Sequence, residues 1–552
     1  MRKLSLLGGA VGVLMLSACG DVLQVDNFNN PDVARAYSTI DGVEGVIAGL
    51  GSGLYNLQGQ RSNEGVNTQS KILSGESMTS VNNFGGAPRS AIPRSPISNS
   101  LGNDIETGNR VDFQRFSVLS RTASNALAAV ERLIATNGPA AMGSVGRTQR
   151  SRAFGYFILG QALGNLASGY DSAAIVTPDV PSDVIPELSS YADVNAAAVR
   201  MLDTALVAAT AGAADAGNFT LPGTWLSNAT MTNANFTRLV RSMRARIRAG
   251  AARNPTEAAA IDWPAVIADG TNGITADFTQ DVGGTTGWSG GYHTVQSYVA
   301  STWAWAPMYY YGMADVSGAY ATWLATPRST RTQFLVQTPD TRWPQGATRA
   351  AQQAEAPAST GTLLPAGRYM RNRPTGEDPP ADGWGQSMYD HRRWGFIREN
   401  SNQGTLVEMD VDEPRLLAAE GYIRTNQFAL AAPLINLSRQ AHGLPAVGIT
   451  DGTSPVAGGA SCVPQVPVAP SYTATACGNM LEAMKYELRM ETAWTGYMQW
   501  FRHHRRWGDM IEGTPLQWPV PYQEMQARQK GFYDGTMVAP QGTYRFGSGA
   551  NL

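Results

Sequence analysis

Charge is scarce in this chain. Asp, Glu, Lys and Arg make up 16% of its 552 residues, against about a quarter in an average domain, and a net charge of −2 gives no electrostatic reason to expect nucleic acid. The basic runs Arg238 to Arg253 and Arg502 to Arg506 stand beside apolar positions, a pattern that reads as solvated helix faces, not phosphate grips. Cysteine is scarcer still, three in all, and without neighbouring His or further Cys these fall short of the usual four-ligand zinc set. The apolar run that opens the chain, Leu4 to Leu16, is diluted by Gly8, Gly9 and Gly12 and is shorter than the roughly 20 residues a membrane-spanning helix needs. Strand signals are weak throughout, which leaves helices to build the core. Glycine and proline are plentiful, 59 and 31 residues, and point to long ordered loops around a packed scaffold.

The opening run has another reading. Arg2 and Lys3 precede it, and the small residues Ser17 and Ala18 follow it ahead of Cys19, the arrangement of a signal peptide over residues 1–18 with cleavage before the cysteine. The mature chain is then expected to begin at Cys19, which carries a thioether-linked diacylglycerol and an N-acyl chain such as palmitate. Several acyl chains anchor stably where one does not. As an ordinary N-terminal helix, the run leaves the cysteine unexplained. Export leaves Cys462 and Cys477 as one potential pair; two free thiols or a metal site are the alternatives, and the metal site lacks ligands. Residues 456–478 have no helical periodicity, so a disulfide is expected to staple a loop that packing alone does not order, worth about 3 kcal/mol.

Helical periodicity marks Val33 to Tyr55, Phe113 to Ile134, Ser151 to Ser168, Val194 to Ala209 and Phe236 to Ala252. Asp262-Trp263-Pro264 starts a further helix, with proline in its first turn. Residues 60–110 read as a polar loop punctuated by Pro88, Pro93 and Pro96, and between about 270 and 405 the period fades into Gly, Trp, Tyr and Pro. It resumes in DEPRLLAAEGYIRTNQFALAAPLINLSRQAHGLP, two helices joined at Thr425-Asn426 with the length of a tetratricopeptide hairpin. Pro414 suits the first turn, Gly443 suits a C-terminal cap, and Pro433 must lie in the first turn of its helix or kink it.

At this hairpin the sequence resembles the RagB/SusD family of outer-membrane nutrient-uptake lipoproteins. LEAMKYELRMETAWTGYMQWFRHHRRWGDM is similar to that family's C-terminal signature, carried here by Glu487, Arg489, Glu491, Trp494, Gly496, Trp500, Phe501, Arg505, Arg506, Trp507 and Gly508. WPVPYQEM resembles its closing Pro-Ile-Pro-x-x-Glu element through Pro519, Pro521 and Glu524. Thr495 stands where the family usually has Glu, and Arg502 stands near an expected Asp. Looser counterparts run through VDNFNNPDV, GLYN, GYFILGQALGNLASGYD and RARIRAGAARNPTEAAAIDWPAVIADG. The resemblance implies an all-α, tetratricopeptide-like scaffold of about four helix pairs over residues 19–552, with a loop-rich insertion at about 270–405. It implies lipid anchorage at the cell outer membrane, facing the exterior, and docking on a TonB-dependent transporter of the SusC type. It implies capture of an oligosaccharide or other nutrient, with no catalysis and no cofactor.

Other chemistry is weaker. Glu420, Glu487 and Glu491 share helix faces with Arg415, Arg424 or Arg489 and read as helix ion pairs; no spacing singles out the two converging carboxyls of a glycosidase. His503 and His504 are adjacent, so they do not share a face, and the flanking arginines disfavour a metal. Gly287-Trp288-Ser289-Gly290-Gly291 matches a nucleophile elbow near His293, but no apolar strand precedes it. Gly49 to Gly53 is equally poor as a phosphate loop, since it falls late in a helix with no strand before it. A surface hydrolase is therefore the alternative to a binding protein, and a structural lid the third reading. The stretch Trp288 to Trp323 is rich in rings where periodicity is poor. Such rings suit stacking on sugar faces, and Trp288, Tyr292, Trp303, Trp305 and Tyr309 are expected to line the ligand surface.

Overall fold

A computed structural model describes residues 36–541 except 59–64, 81–85, 103–105, 228–229, 284–287, 289–303, 359–361, 380–383, 386 and 449–450. Cys19 and the leader lie outside the described residues, as do Ser289, Tyr292, His293 and Trp303. Contacts divide the chain after Val46, and the body of the fold is Ile47–Leu552.

The helices expected from periodicity form, and side-chain caps set many of their ends. Along the chain they are α1 (Ile40–Gln58), α3 (Glu106–Asn137), α4 (Val145–Gly169), α5 (Tyr191–Gly212), α6 (Asn233–Gly250) and α7 (Trp263–Thr271), with the unexpected α2 (Val66–Leu73) between the first two. Ser144 Oγ accepts the Arg147 N–H at 3.0 Å to open α4, Thr232 Oγ1 accepts that of Asn235 at 3.3 Å to open α6, and Asp262 accepts that of Ala265 at 3.1 Å to open α7. Each cap answers an N–H that the helix itself cannot pair. Among the described residues four short antiparallel pairs form in the loops: β1 (Ser172–Ala174) with β2 (Leu188–Ser190), β3 (Phe278–Val282) with β6 (Gly404–Met409), β4 (Met370–Asn372) with β5 (Tyr389–His391), and β7 (Gln465–Pro467) with β8 (Thr475–Cys477). The β3/β6 pair ties together the two ends of the loop-rich insertion, which contains a helix of its own, α8 (Ala319–Ala325).

Beyond it come α9 (Asp412–Arg424), α10 (Phe428–Ala441), α11 (Met480–Thr492) and α12 (Gln499–Trp507). Asn426 turns the α9/α10 hairpin in the left-handed conformation at φ 57°, and Gly443 ends α10 at φ 75°. Pro433 lies inside α10, just past its first turn. Successive neighbours pack in series: α3 on α4, α4 on α5, α5 on α6, α6 on α7, α7 on α9, and α9 on both α10 and α11. This is an all-α, tetratricopeptide-like stack. α4 lies at the junction of several partners, and two glycines admit them. A Cβ at Gly160 would lie 2.7 Å from Leu202 of α5, and one at Gly164 2.7 Å from Ile247 of α6.

Residues 60–110 differ from the expected polar loop. They hold α2, a short helix at Gly86–Ser90 and the start of α3. Asn67, Gln69, Ser70 and Lys71 of α2 are buried, each polar group answered by a partner. Lys71 Nζ lies 2.9 Å from the Glu76 carboxylate, Asn67 Nδ2 donates to the Gln58 carbonyl at 3.0 Å, and the Val66 N–H donates to Asp112 at 3.1 Å. A helix buried through pairing has no apolar stripe for the sequence to display.

Candidate ligand-binding site

The C-terminal signature forms the interior of the protein. Arg502, Arg505 and Arg506 are 1%, 1% and 0% exposed, which corrects the expectation of a solvated arginine face. The reason is helix geometry: the last carbonyls of a helix have no partner within it. Arg505 donates to the carbonyls of Ser168 at 2.8 Å and Gly250 at 2.9 Å, at the ends of α4 and α6. Arg506 reaches the Ala249 carbonyl at 3.3 Å and meets the Glu420 carboxylate at 2.6 Å. Glu420 also accepts from Arg424 at 2.9 Å and from the Trp507 indole at 3.0 Å. Burial works against its charge, yet the guanidinium groups of Arg506 and Arg424 hold its carboxyl down at about 2.

The other carboxylates on helix faces find more distant partners. Arg342, from the insertion, meets Glu487 at 2.9 Å and Glu491 at 2.8 Å, Arg439 adds 3.3 Å to Glu487, and Arg415 turns to Asp412 at 2.9 Å. Glu487 and Glu491 are 0% and 2% exposed, so they present no surface to a substrate. Burial pushes the His503 and His504 imidazoles well below their ordinary range, helped by Arg506 for the first and Arg489 for the second. Arg489 Nε donates to His504 Nε2 at 2.9 Å. Among the described residues no group of His, Cys, Asp and Glu is arranged to hold a metal.

Three of the five expected ligand-contacting rings are described. Trp305 and Tyr309 are 1% and 2% exposed, which corrects their assignment: rings with no accessible face cannot stack on a ligand. Trp305 packs the insertion onto the scaffold instead, and Tyr309 packs within the insertion. Trp305 forms a β-bridge with Met78 and donates its indole N–H to the Glu377 carbonyl at 3.2 Å. Tyr309 stands edge-on to Trp323 with centroids 5.4 Å apart. Trp288 is half-buried, stacked on Tyr55 at 5.6 Å.

Trp323 and Phe334 instead meet at an open groove of about 600 Å³ in the insertion. The two rings lie 6.2 Å apart, and the Arg331 guanidinium stands 4.3 Å over the Trp323 ring. Trp323 is buried, so half-buried Phe334 supplies the accessible ring. Phe334 lies past the aromatic stretch that the sequence marks out, and no periodicity distinguishes it. Ser317, Thr322, Thr326 and Thr332 bring hydroxyls to the lining. α8 starts from Gly318 in the left-handed conformation at φ 87°, carries Thr322 in its middle and is followed directly by Thr326. Their hydroxyls donate to Gly318 and Thr322 carbonyls at 3.1 and 2.8 Å, leaving oxygen lone pairs to accept from a ligand. Among the described residues no carboxylate lines this groove, so they supply no acid pair of the kind glycoside hydrolysis requires.

The sulfurs of Cys462 and Cys477 are joined in a disulfide, with Cα atoms 5.8 Å apart. The bridge closes the β7/β8 hairpin just ahead of α11.

No protein-family model matches the sequence, and no curated protein matches it. Solved structures do. The chain is similar to a SusD superfamily protein from Parabacteroides distasonis, with TM-score 0.51 and 10% identity over 89% of this chain and 98% of that one. It is similar to another from Bacteroides thetaiotaomicron, with TM-score 0.50 and 12% identity over 91% and 98%. At such identities the likeness is one of fold. The fold is that of the SusD superfamily, as the RagB/SusD resemblance implies.

Proposed function

We propose that this chain is an outer-membrane lipoprotein that binds a nutrient at the cell surface, an oligosaccharide in the first place, and delivers it to a TonB-dependent SusC-type transporter. The observation that carries the binding half is the Trp323/Phe334 groove, a ring and a row of hydroxyls without a carboxylate. Sugars offer an apolar face to a ring and hydroxyls to a polar rim. Absence of an acid pair favours capture over hydrolysis at that groove. Delivery to a transporter and attachment through Cys19 rest on the leader and on analogy of fold, which by itself does not determine function.

Two measurements test this reading together. Titration of the purified protein with a panel of neutral oligosaccharides is expected to give saturable binding without release of smaller sugars; cleavage would move the protein to the hydrolase alternative. Crosslinking in intact cells, followed by purification in mild detergent, is expected to recover a β-barrel transporter. Recovery of the chain alone would remove the transporter half of the proposal.

A further inference from the structure

A second groove, of about 250 Å³, lies between the first turns of α6 and the residues that lead into β3. Its lining differs in kind from that of the Trp323 groove. Leu226, Met231, Ile274 and Phe278 give it an apolar floor, and two opposite charges, Arg238 and Asp277, stand at it. Both are exposed, and both are held in place by the backbone. Arg238 Nη1 donates to the Gly273 carbonyl at 3.3 Å, and the Val411 N–H donates to Asp277 Oδ1 at 2.9 Å. Among the described residues neither forms an ion pair, with the other or with a third group. The remaining guanidinium N–H groups and the second carboxylate oxygen stay open.

Fixed opposite charges beside an apolar floor select against most ligand classes. A neutral glycan answers neither charge, an anion meets Asp277, and a cation meets Arg238. A zwitterion with an apolar tail answers both, and the volume lies below the range of drug-sized sites. We propose that this groove binds a free α-amino acid with an apolar side chain. Its carboxylate would sit on Arg238, its ammonium on Asp277, and its side chain on Ile274 and Met231.

Calorimetric titration of the purified full-length protein with L-leucine, N-acetyl-L-leucine and L-leucinamide tests this. Leucine is expected to bind about tenfold or more tighter than either analogue, the value of one charge-assisted contact. Arg238→Gln should bring leucine down to the affinity of leucinamide, and Asp277→Asn to that of the N-acetyl derivative. Both exposed substitutions should leave thermal unfolding unchanged. Phe334→Ala should leave leucine binding intact, so failure here is distinguishable from failure of the glycan groove. Equal affinities for the three probes, no saturation by about 10 mM leucine, or wild-type binding by both charge variants would overturn the proposal.

Discussion

Replacing Glu420 by Gln is expected to destabilise the protein by about 3 kcal/mol or more near neutral pH. The side chain is 0% exposed and accepts from Arg506, Arg424 and the Trp507 indole. Glutamine keeps the shape but leaves the buried Arg506 guanidinium without its counter-charge, and breaking a buried pair from one side costs about 3–5 kcal/mol. The same pairing sets the pH dependence of stability. A carboxyl lowered from 4.5 to about 2 on folding corresponds to about 3 kcal/mol of pH-dependent stability. Because the folded value is the lower one, this contribution is complete above the unfolded value of 4.5. It is lost as pH falls through the window down to about 2. Urea unfolding at pH 7, repeated across pH 5 to 2, should show the variant less stable at neutrality and flatter than the parent in the acid range. Arg506→Met combined with Glu420→Gln should cost less than the two single changes together, since it removes both charges. A loss below about 1 kcal/mol, or an acid limb equally steep in the variant, would refute the idea that a buried charge pair holds α9 to α12.

Other outcomes are as direct. Cys19→Ala should abolish incorporation of labelled palmitate and release the protein from the membrane fraction; label retained by that variant would exclude the leader reading. Cys477→Ser should cost about 3 kcal/mol for a loop of this size, and a non-reduced digest of the exported protein should show Cys462 and Cys477 in one linked peptide pair. Phe334→Ala should weaken oligosaccharide binding by about 1 kcal/mol or more with little change in stability. Tyr309→Ala should do the reverse, lowering stability by about 3 kcal/mol, and unchanged stability would place that ring outside the core.

Legibility in the sequence followed the physical origin of each feature. Helices with one apolar stripe, such as α3 and α4, were visible from their period, and their ends were blurred because Ser144 and the residues before Phe113 contribute no apolar signal. α2 was hidden because Asn67, Gln69 and Lys71 are buried by pairing. Arg505 and Arg506 looked solvated because the carbonyls that require them lie on other helices, far away in the chain. The aromatic stretch lies in the insertion, but composition does not say which ring faces outward. Trp305 and Tyr309 turned inward, and Phe334, beyond the cluster, reached the groove.

The arginines of α12 carry a consequence for how the protein is made. Arg505 closes carbonyls 337 and 255 residues earlier, and Arg506 closes another at Ala249. Helices α4 and α6 are therefore drawn from the first half of the chain but finished by donors near its end. Contacts of such separation form late, because a long loop must be closed before they return any stabilisation. Until Arg502 to Arg506 emerge, the ends of those helices are left to water, and their neighbours stay only partly closed. A copy cut short ahead of α12 cannot complete helices it already contains. The last turn of one helix thus decides whether the ends of two others, far earlier in the chain, are paired.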